Sequence, residues 1–185
     1  MRYYKIKSYA KINISLGILD KIKTKLHKIE SLFSFINLHD EILIKQINDK
    51  NHKIIFHGKF SKGIFKNNTI SSLLKLIEKK LSGKKYLIKV NKKIPLKSGM
   101  GGGSMNASSL LEFLIKNQKL NFSSKEITKI SSNIGSDVFI GLQKKTSILY
   151  GDGNVKYLNN KINLYTLLVR PNFGCSTKTI YSNVK

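Results

Sequence analysis

The sequence contains few cysteines and prolines and lacks tryptophan. It has one cysteine, Cys175, two prolines and no tryptophan among its 185 residues. A lone cysteine excludes an internal disulfide and is typical of a protein in a reducing compartment. The four histidines (His27, His39, His52 and His57) show no metal-ligand spacing. We therefore name no metal ligand.

Long hydrophobic runs are missing as well. A membrane-spanning helix needs roughly 18 or more consecutive apolar residues, and the sequence contains no such run. The first residues alternate polar and apolar types, which is unlike a signal peptide. The sequence thus predicts a cytoplasmic protein with no membrane partner.

Acidic residues are scarce, with 10 Asp and Glu against 34 Lys and Arg and a formal net charge of +24. Arginine occurs only at Arg2 and Arg170, so nearly all of the positive charge is lysine, spread along the chain. Proteins that read base sequence favour the forked guanidinium of arginine. We interpret the charge mainly as codon bias and expect no nucleic-acid partner. A non-catalytic basic module that binds RNA stays open as an alternative.

A glycine-rich stretch, PLKSGMGGGSMNA at residues 95–107, is the strongest local signal. It follows a strand pattern at residues 86–90 and leads into a helix pattern at residues 104–118. Such a junction binds phosphate, because glycines let the backbone approach an anion and the helix dipole adds positive charge. Ser104, and not a lysine, follows the last glycine, so the stretch is not a Walker loop. A flexible linker is the alternative interpretation.

Four motifs, in order along the chain, resemble those of the GHMP kinases. They are SYAKINISL at residues 8–16, the glycine stretch, IGSDV at residues 134–138 and PNFGCSTKTIY at residues 171–181. The resemblance implies an α+β fold, the GHMP kinase N-terminal domain, which is related to a ribosomal-protein fold with a left-handed β-α-β crossover. We expect residues 1–158 to form this ATP-binding domain and residues 159–185 to begin a truncated C-terminal domain.

The resemblance also implies a reaction, in which ATP, with Mg²⁺, phosphorylates a hydroxyl of a small molecule. The branch of the family that the motifs resemble acts on an acceptor with a cytidine diphosphate group, on the non-mevalonate route to isoprenoids. By this resemblance Asp137 is the catalytic base and Lys11 its cationic partner. Asn13, His27 and Tyr181 would bind the acceptor. The ATP site would comprise Pro95, Lys97, Gly99, Gly101, Gly102, Gly103, Ser104, Asn106, Asn68 and Lys92.

From the residues alone these assignments have ordinary alternatives. Asp137 could cap a helix, Lys11 could lie on a solvated strand face and Tyr181 could lie on an amphipathic helix. Leu26 stands where the family has a stacking Tyr. Another small-molecule GHMP kinase is the second enzymatic alternative. Because family members continue for most of another domain, we expect weak or absent turnover from these 185 residues, and a monomer or weak homodimer.

The hydrophobic pattern predicts several strands before the first helix. A first strand at residues 3–19 should place Ala10, Ile12, Ile14 and Leu16 on one face by strict alternation. The remaining predicted elements are strands at residues 27–38 and 41–47 joined by a turn at His39 and Asp40, a strand at 53–57, a helix from Asn67 or Asn68 to Ser82, a helix with a Ser123 and Glu126 capping box, a hairpin around residues 151–153, and a buried strand at 164–169.

Overall fold

The computed structural model describes residues 2–21, 27–152, 154–159 and 165–169. Within them, six strands form one sheet in the order β3-β4-β2-β5-β6, with β1 also paired to β2. The strands are β1 (Tyr4–Lys21), β2 (His27–Ile47), β3 (Lys53–His57), β4 (Lys85–Asn91), β5 (Ser147–Leu149) and β6 (Val155–Tyr157). The helices are α1 (Thr69–Leu76), α2 (Gly102–Gln118), α3 (Ser124–Ile134) and α4 (Asp137–Gln143).

The long strand β2 organises the sheet. It pairs antiparallel with β1 along its length, with β4 through residues 41–47 and with β5 through residues 31–33. The predicted turn at His39 and Asp40 is wrong, because both residues lie within β2. These two polar residues instead lie at an irregularity in the pairing of β1 with β2, since Tyr9 pairs with His39 while Ala10 pairs with Ile36.

Strand β1 does not alternate strictly, so that prediction is also wrong. Its register with β2 shifts at three places, among them between Tyr9 and Ala10 and between Asn13 and Ser15. A bulge of this kind re-aims the side chains beside it. As a result Ala10 and Lys11 are both buried, whereas Ile14 and Leu16 are 41% and 43% exposed.

Helix α1 begins as predicted at the Asn68 cap. The Asn68 side chain accepts the N–H groups of Ile70 and Ser71, and the Ser71 hydroxyl accepts the Asn68 N–H, which completes a capping box. The predicted end at Ser82 is wrong for the α-helix, because a 3-10 turn at Glu78–Leu81 replaces its last turn. The predicted apolar stripe is confirmed, and its members are Ile70, Leu73, Leu74, Ile77 and Leu81.

The helices cover a core that β2 and β4 supply from the sheet. Ile42, Ile44, Ile88 and Val90 pack with α1 and α2 in one buried cluster. The predicted hairpin is confirmed in shortened form, as β5 pairs antiparallel with β6. No helix within the described residues has the length and apolar content to cross a membrane.

Two features near the end of the chain differ from the sequence pattern. Helix α4 was not predicted, since its seven residues hold only a short apolar run after Asp137. The predicted strand at residues 164–169 is wrong for residues 165–169, which are neither extended in a ladder nor buried. No strand among the described residues pairs with them, so an apolar run alone does not make a strand here.

The capping box of α3 predicts that stability depends on pH. The Glu126 carboxylate accepts the Ser123 N–H at 2.7 Å and pairs with Lys80 at 2.9 Å. The hydrogen bond from Lys80 and, to a smaller extent, those from Ser123 lower the pKa of Glu126 from 4.5 to about 2. Because the folded-state pKa lies below the unfolded one, this stabilisation is present above pH 4.5 and is lost as pH falls towards about 2.

We therefore expect Glu126→Gln to destabilise the protein near neutral pH. Glutamine keeps an acceptor for the capping box and removes only the charge. The difference in free energy of unfolding between parent and variant should shrink as pH falls from about 5 to about 2. Urea unfolding at a series of pH values measures this difference, and a gap that is constant across the series contradicts the role of the charge.

Candidate active site

A cleft of about 590 Å³ opens between the glycine loop, β1 and the start of α4. One wall is the loop, and the opposite wall carries apolar side chains of β1, β2, α4 and β5. The predicted site residues that line the cleft are Lys11, Asn13, Lys92, Pro95, Lys97, Gly99, Gly101, Gly102, Gly103, Ser104 and Asp137. The structure therefore brings together side chains that are far apart in sequence.

The glycine loop delivers an uncapped helix N-terminus to this cleft. Gly99 and Gly101 have φ values of 72° and 64°, in the left-handed region that favours glycine. Gly101 is the N-cap of α2, and no side chain caps this helix. The first-turn N–H groups of α2 and the positive end of its dipole are therefore available to an anion in the cleft.

Gly102 is closely packed, which the sequence does not reveal. A Cβ atom there would lie 3.0 Å from Ile94 Cγ2 and 3.3 Å from Lys92 Nζ. Helix α2 thus begins in direct contact with the segment that follows β4. A side chain at this position would force Ile94, or the helix start, to shift by a few tenths of an ångström.

Lys11 and Asp137 form an ion pair that borders the cleft next to the loop. Lys11 Nζ lies 3.4 Å from Asp137 Oδ2, with the lysine side chain nearly buried and the aspartate side chain 27% exposed. The Lys11 N–H donates to Met100 O at 3.1 Å, which ties β1 to the loop. Asp137 is the first residue of α4, while Ser136 occupies the N-cap position. The carboxylate therefore faces a cation as well as a helix N-terminus.

Asn13 lies beside this pair and is connected to it. Asn13 Oδ1 accepts a hydrogen bond from Lys11 Nζ at 3.0 Å. Its amide nitrogen donates to the hydroxyl of Ser31 at 2.6 Å. Four polar side chains from β1, β2 and α4 are thus held by their mutual contacts at one end of the cleft.

Lys92 also borders the cleft, and it forms a buried ion pair with Asp40. Its ammonium group contacts Asp40 Oδ2, and the two residues are 2% and 0% exposed. Asp40 Oδ1 also accepts the N–H groups of Lys93 and Ile94, at 2.7 and 2.9 Å. Sequence reasoning missed Asp40 because it assigned this residue to a turn. The sequence feature that could have indicated a buried Asp40 was its position as an acidic residue next to the apolar run of β2.

Asn68 and Asn106 are not in the cleft. The Asn68 amide caps α1 and donates to Phe65 O and Lys66 O, and the residue lines a neighbouring hollow of about 820 Å³. Asn106, the fifth residue of α2, is 2% exposed and does not border the cleft, and its contact with phosphate stays a prediction. The predicted acceptor residue Tyr181 and the side chain of His27 lie outside the described residues, as does Leu26.

The chain is similar to known kinases in sequence. Residues 68–145 match the family model described as GHMP kinases N terminal domain. The 4-diphosphocytidyl-2-C-methyl-D-erythritol kinase of Pelagibacter ubique (strain HTCC1062) is 54% identical over 186 residues, which cover 100% of this chain and 66% of that protein. The protein of the same name from Buchnera aphidicola subsp. Schizaphis graminum (strain Sg) is 37% identical, over 95% of this chain and 62% of that protein. The chain thus spans 62–66% of the length of these two relatives.

Solved structures show the same fold. The crystal structure of a 4-(cytidine 5'-diphospho)-2C-methyl-D-erythritol kinase has a TM-score of 0.67 at 21% identity and covers 84% of this chain and 55% of that one. A homoserine kinase from Cytophaga hutchinsonii ATCC 33406 has a TM-score of 0.59 at 17% identity, over 84% of this chain and 51% of that one. The expected α+β fold of the GHMP N-terminal domain is confirmed.

The buried pair of Asp40 and Lys92 predicts a large effect of a small substitution. Asp40→Asn should lower the free energy of unfolding by about 3–5 kcal/mol, because it leaves the Lys92 ammonium buried without a counter-charge. Urea unfolding measures the loss. The neighbouring Glu41→Gln is the matched control, since Glu41 carries exposed ion pairs with Lys5 and Lys93 and should matter much less.

A double variant, Asp40→Asn with Lys92→Met, removes both charges and should recover much of the lost stability. Equal losses for Asp40→Asn and Glu41→Gln would contradict the importance of the buried pair. No recovery in the double variant would do the same.

Proposed function

We propose that this chain, which belongs to the GHMP kinase family, carries the nucleotide site and the acid–base pair of an ATP-dependent kinase. The proposed acceptor is 4-diphosphocytidyl-2-C-methyl-D-erythritol, phosphorylated on its 2-hydroxyl in isoprenoid precursor synthesis. The observation that carries the proposal is the Lys11 and Asp137 ion pair in one cleft with an uncapped, glycine-rich helix N-terminus. Relatives with this name at 54% and 37% identity support the choice of acceptor.

The donor side fits the phosphates of a nucleotide. We propose that N–H groups at the start of α2 bind the phosphates, with Ser104 as a side-chain partner and with positive charge from Lys92 beneath the loop. The base would lie in the hollow beside Asn68, because Asn68 borders that hollow and the next residue, Thr69, borders the cleft. The Thr69 hydroxyl donates to Gly103 O at 2.7 Å, which fixes this junction.

Magnesium would enter with the nucleotide. Within the part of the chain that the structure describes, no three His, Cys, Asp or Glu side chains converge as metal ligands. Asp137 is the one carboxylate among the described residues that line the cleft. When bound, the cation would neutralise charge on the phosphate oxygens. We therefore propose no set of Mg²⁺ ligands from this chain.

The acceptor side supplies the proton chemistry. Asp137 would take the proton of the acceptor hydroxyl as its oxygen forms a bond to the γ-phosphorus, and the bond from that phosphorus to the bridging oxygen breaks so that ADP leaves. Lys11 would orient the Asp137 carboxylate and offset the negative charge that gathers between donor and acceptor. Asn13, on the same wall, would contact the acceptor. Alignment and charge neutralisation are the main demands of this reaction.

The setting of the reaction is part of the proposal. The lone cysteine supports a reducing, cytoplasmic location. We keep a monomer or weak homodimer as the proposed state, with a small-molecule acceptor and with no nucleic acid or membrane as partner. Roles for His27 and Tyr181 at the cytidine end rest on the motifs alone.

Asp137→Asn should lower turnover by about 10²–10⁴-fold, the usual contribution of a general base, while ATP affinity changes little. A coupled ADP-release assay with the methylerythritol acceptor measures turnover, and calorimetry measures ATP binding. Asp49→Asn is the control, because it makes the same chemical change at an exposed ion pair with Lys53. Near-parental turnover of Asp137→Asn would rule out its role as the base.

Lys11→Met should act on the same step as Asp137→Asn. The double variant should therefore lose much less than the product of the two single losses. Multiplying losses would indicate that the two side chains act independently, contrary to the proposed pair.

A further inference from the structure

A buried serine that the proposed mechanism does not use lies behind the Lys11 and Asp137 pair. Ser31, on β2, is 2% exposed and borders the cleft. Its hydroxyl makes two short contacts, one of 2.6 Å to the carbonyl oxygen of Ser15 and one of 2.6 Å to the amide nitrogen of Asn13. Both partners lie on β1, so one hydroxyl joins two strands directly beneath the candidate catalytic residues.

The direction of each hydrogen bond in this network follows from chemistry. A backbone carbonyl can only accept, so the single proton of the Ser31 hydroxyl goes to Ser15 O. The Ser31 oxygen must then accept from Asn13, which turns the amide NH₂ of Asn13 towards Ser31. The amide oxygen of Asn13 consequently faces Lys11 Nζ, to which it lies at 3.0 Å. An ammonium group is donor-only, so the opposite amide orientation would set donors against donors.

The backbone creates the conditions for this network. Asn13 pairs with Phe33, Ser15 pairs with Leu32 and Leu16 pairs with Ser31, so the register shifts at Ile14. This bulge re-aims the β1 side chains next to it. The Ser15 carbonyl and the Asn13 amide both reach the same hydroxyl across the strand pair. A residue that lacked the hydroxyl would leave both groups without their partner.

We propose that Ser31 is a positioning residue for phosphoryl transfer. It fixes the orientation of the Asn13 amide, and the Asn13 oxygen in turn holds the Lys11 ammonium in line with Asp137, 3.4 Å away. This inference rests on the proposed kinase function. Without the Ser31 hydroxyl only the Lys11 ammonium orients the amide, and the acceptor that Asn13 offers to Lys11 is held less firmly.

Three variants separate positioning from a purely structural role. Ser31→Ala removes the hydroxyl, and Ser31→Thr restores it. Ser147→Ala is the matched control, since Ser147 is also fully buried and its hydroxyl also donates to a backbone carbonyl, that of Lys145, at 2.9 Å. Strand β5 carries Ser147 opposite Phe33 of β2, yet Ser147 has no contact with Asn13 through its hydroxyl.

The first measurement is independent of activity. In ¹⁵N-labelled protein the one side-chain amide proton of Asn13 that is bonded to Ser31 should exchange more slowly with solvent than its geminal partner in the parent, in Ser31→Thr and in Ser147→Ala. This difference should disappear in Ser31→Ala. Unchanged exchange in Ser31→Ala overturns the proposal, whatever the enzyme assay gives.

The second measurement is turnover with ATP and the methylerythritol acceptor. Ser31→Ala should lower kcat by about 10- to 100-fold with the KM for ATP unchanged, because alignment near Asp137 is lost while the glycine loop is untouched. Ser31→Thr and Ser147→Ala should stay near the parent. In a Lys11→Met background, Ser31→Ala should have no further effect. An equal proportional loss in both backgrounds overturns positioning through Lys11.

The two measurements also distinguish failure of this inference from failure of the proposed function. A parent protein that shows no ATP binding by calorimetry contradicts the proposed function, and amide exchange then decides the role of Ser31 in orienting Asn13. An active parent whose kcat is unaffected by Ser31→Ala contradicts the inference and leaves the proposed function standing.

Discussion

The buried ion pair of Asp40 and Lys92 is the constraint on which the position of the glycine loop depends. A charge taken out of water costs several kcal/mol unless a partner and hydrogen bonds compensate it. The Asp40 carboxylate contacts the Lys92 ammonium and accepts hydrogen bonds from the N–H groups of Lys93 and Ile94. It thereby joins β2 to the segment that follows β4. Ile94 and Lys92 then form the surface against which Gly102 packs. The start of α2 is therefore set by a buried ion pair that borders the cleft.

The second attachment of the loop sets the distance between the two walls of the cleft. A backbone hydrogen bond from Lys11 N–H to Met100 O joins β1 to the loop. The side chain of the same residue, Lys11, forms the ion pair with Asp137. Gly101 follows Met100 directly, and a Cβ atom on it would lie 3.2 Å from Asp137 Oδ2. The loop thus approaches the carboxylate closely only because it has no side chain at that point. Glycine serves here to bring the two walls of the cleft together.

The sequence predicted the parts whose signals are local. The capping residues Asn68 and Ser123, the apolar stripe of α1 and the loop-to-helix junction all follow from patterns within a few residues, and the structure has them. The contacts of Ser31 and Asp40 were out of reach, because each depends on a partner on another strand. The bulge at Ile14 was missed for the same reason, since alternation in sequence cannot show where a ladder shifts register. Family motifs, and not periodicity, singled out Lys11 and Asp137.

The distribution of the few carboxylates explains why a strongly basic chain need not be a nucleic-acid binder. Each of the two buried lysines at the cleft has its own aspartate, Asp137 for Lys11 and Asp40 for Lys92. On the surface, by contrast, Glu41 is shared by Lys5 and Lys93, and Glu112 by Lys116 and Lys144. Buried charges need local neutralisation, whereas exposed ones are screened by water and salt. Compositional drift can therefore add lysines to the surface at little cost while both site lysines keep their partners. The excess positive charge still raises the local concentration of anions, which favours a substrate that carries phosphates.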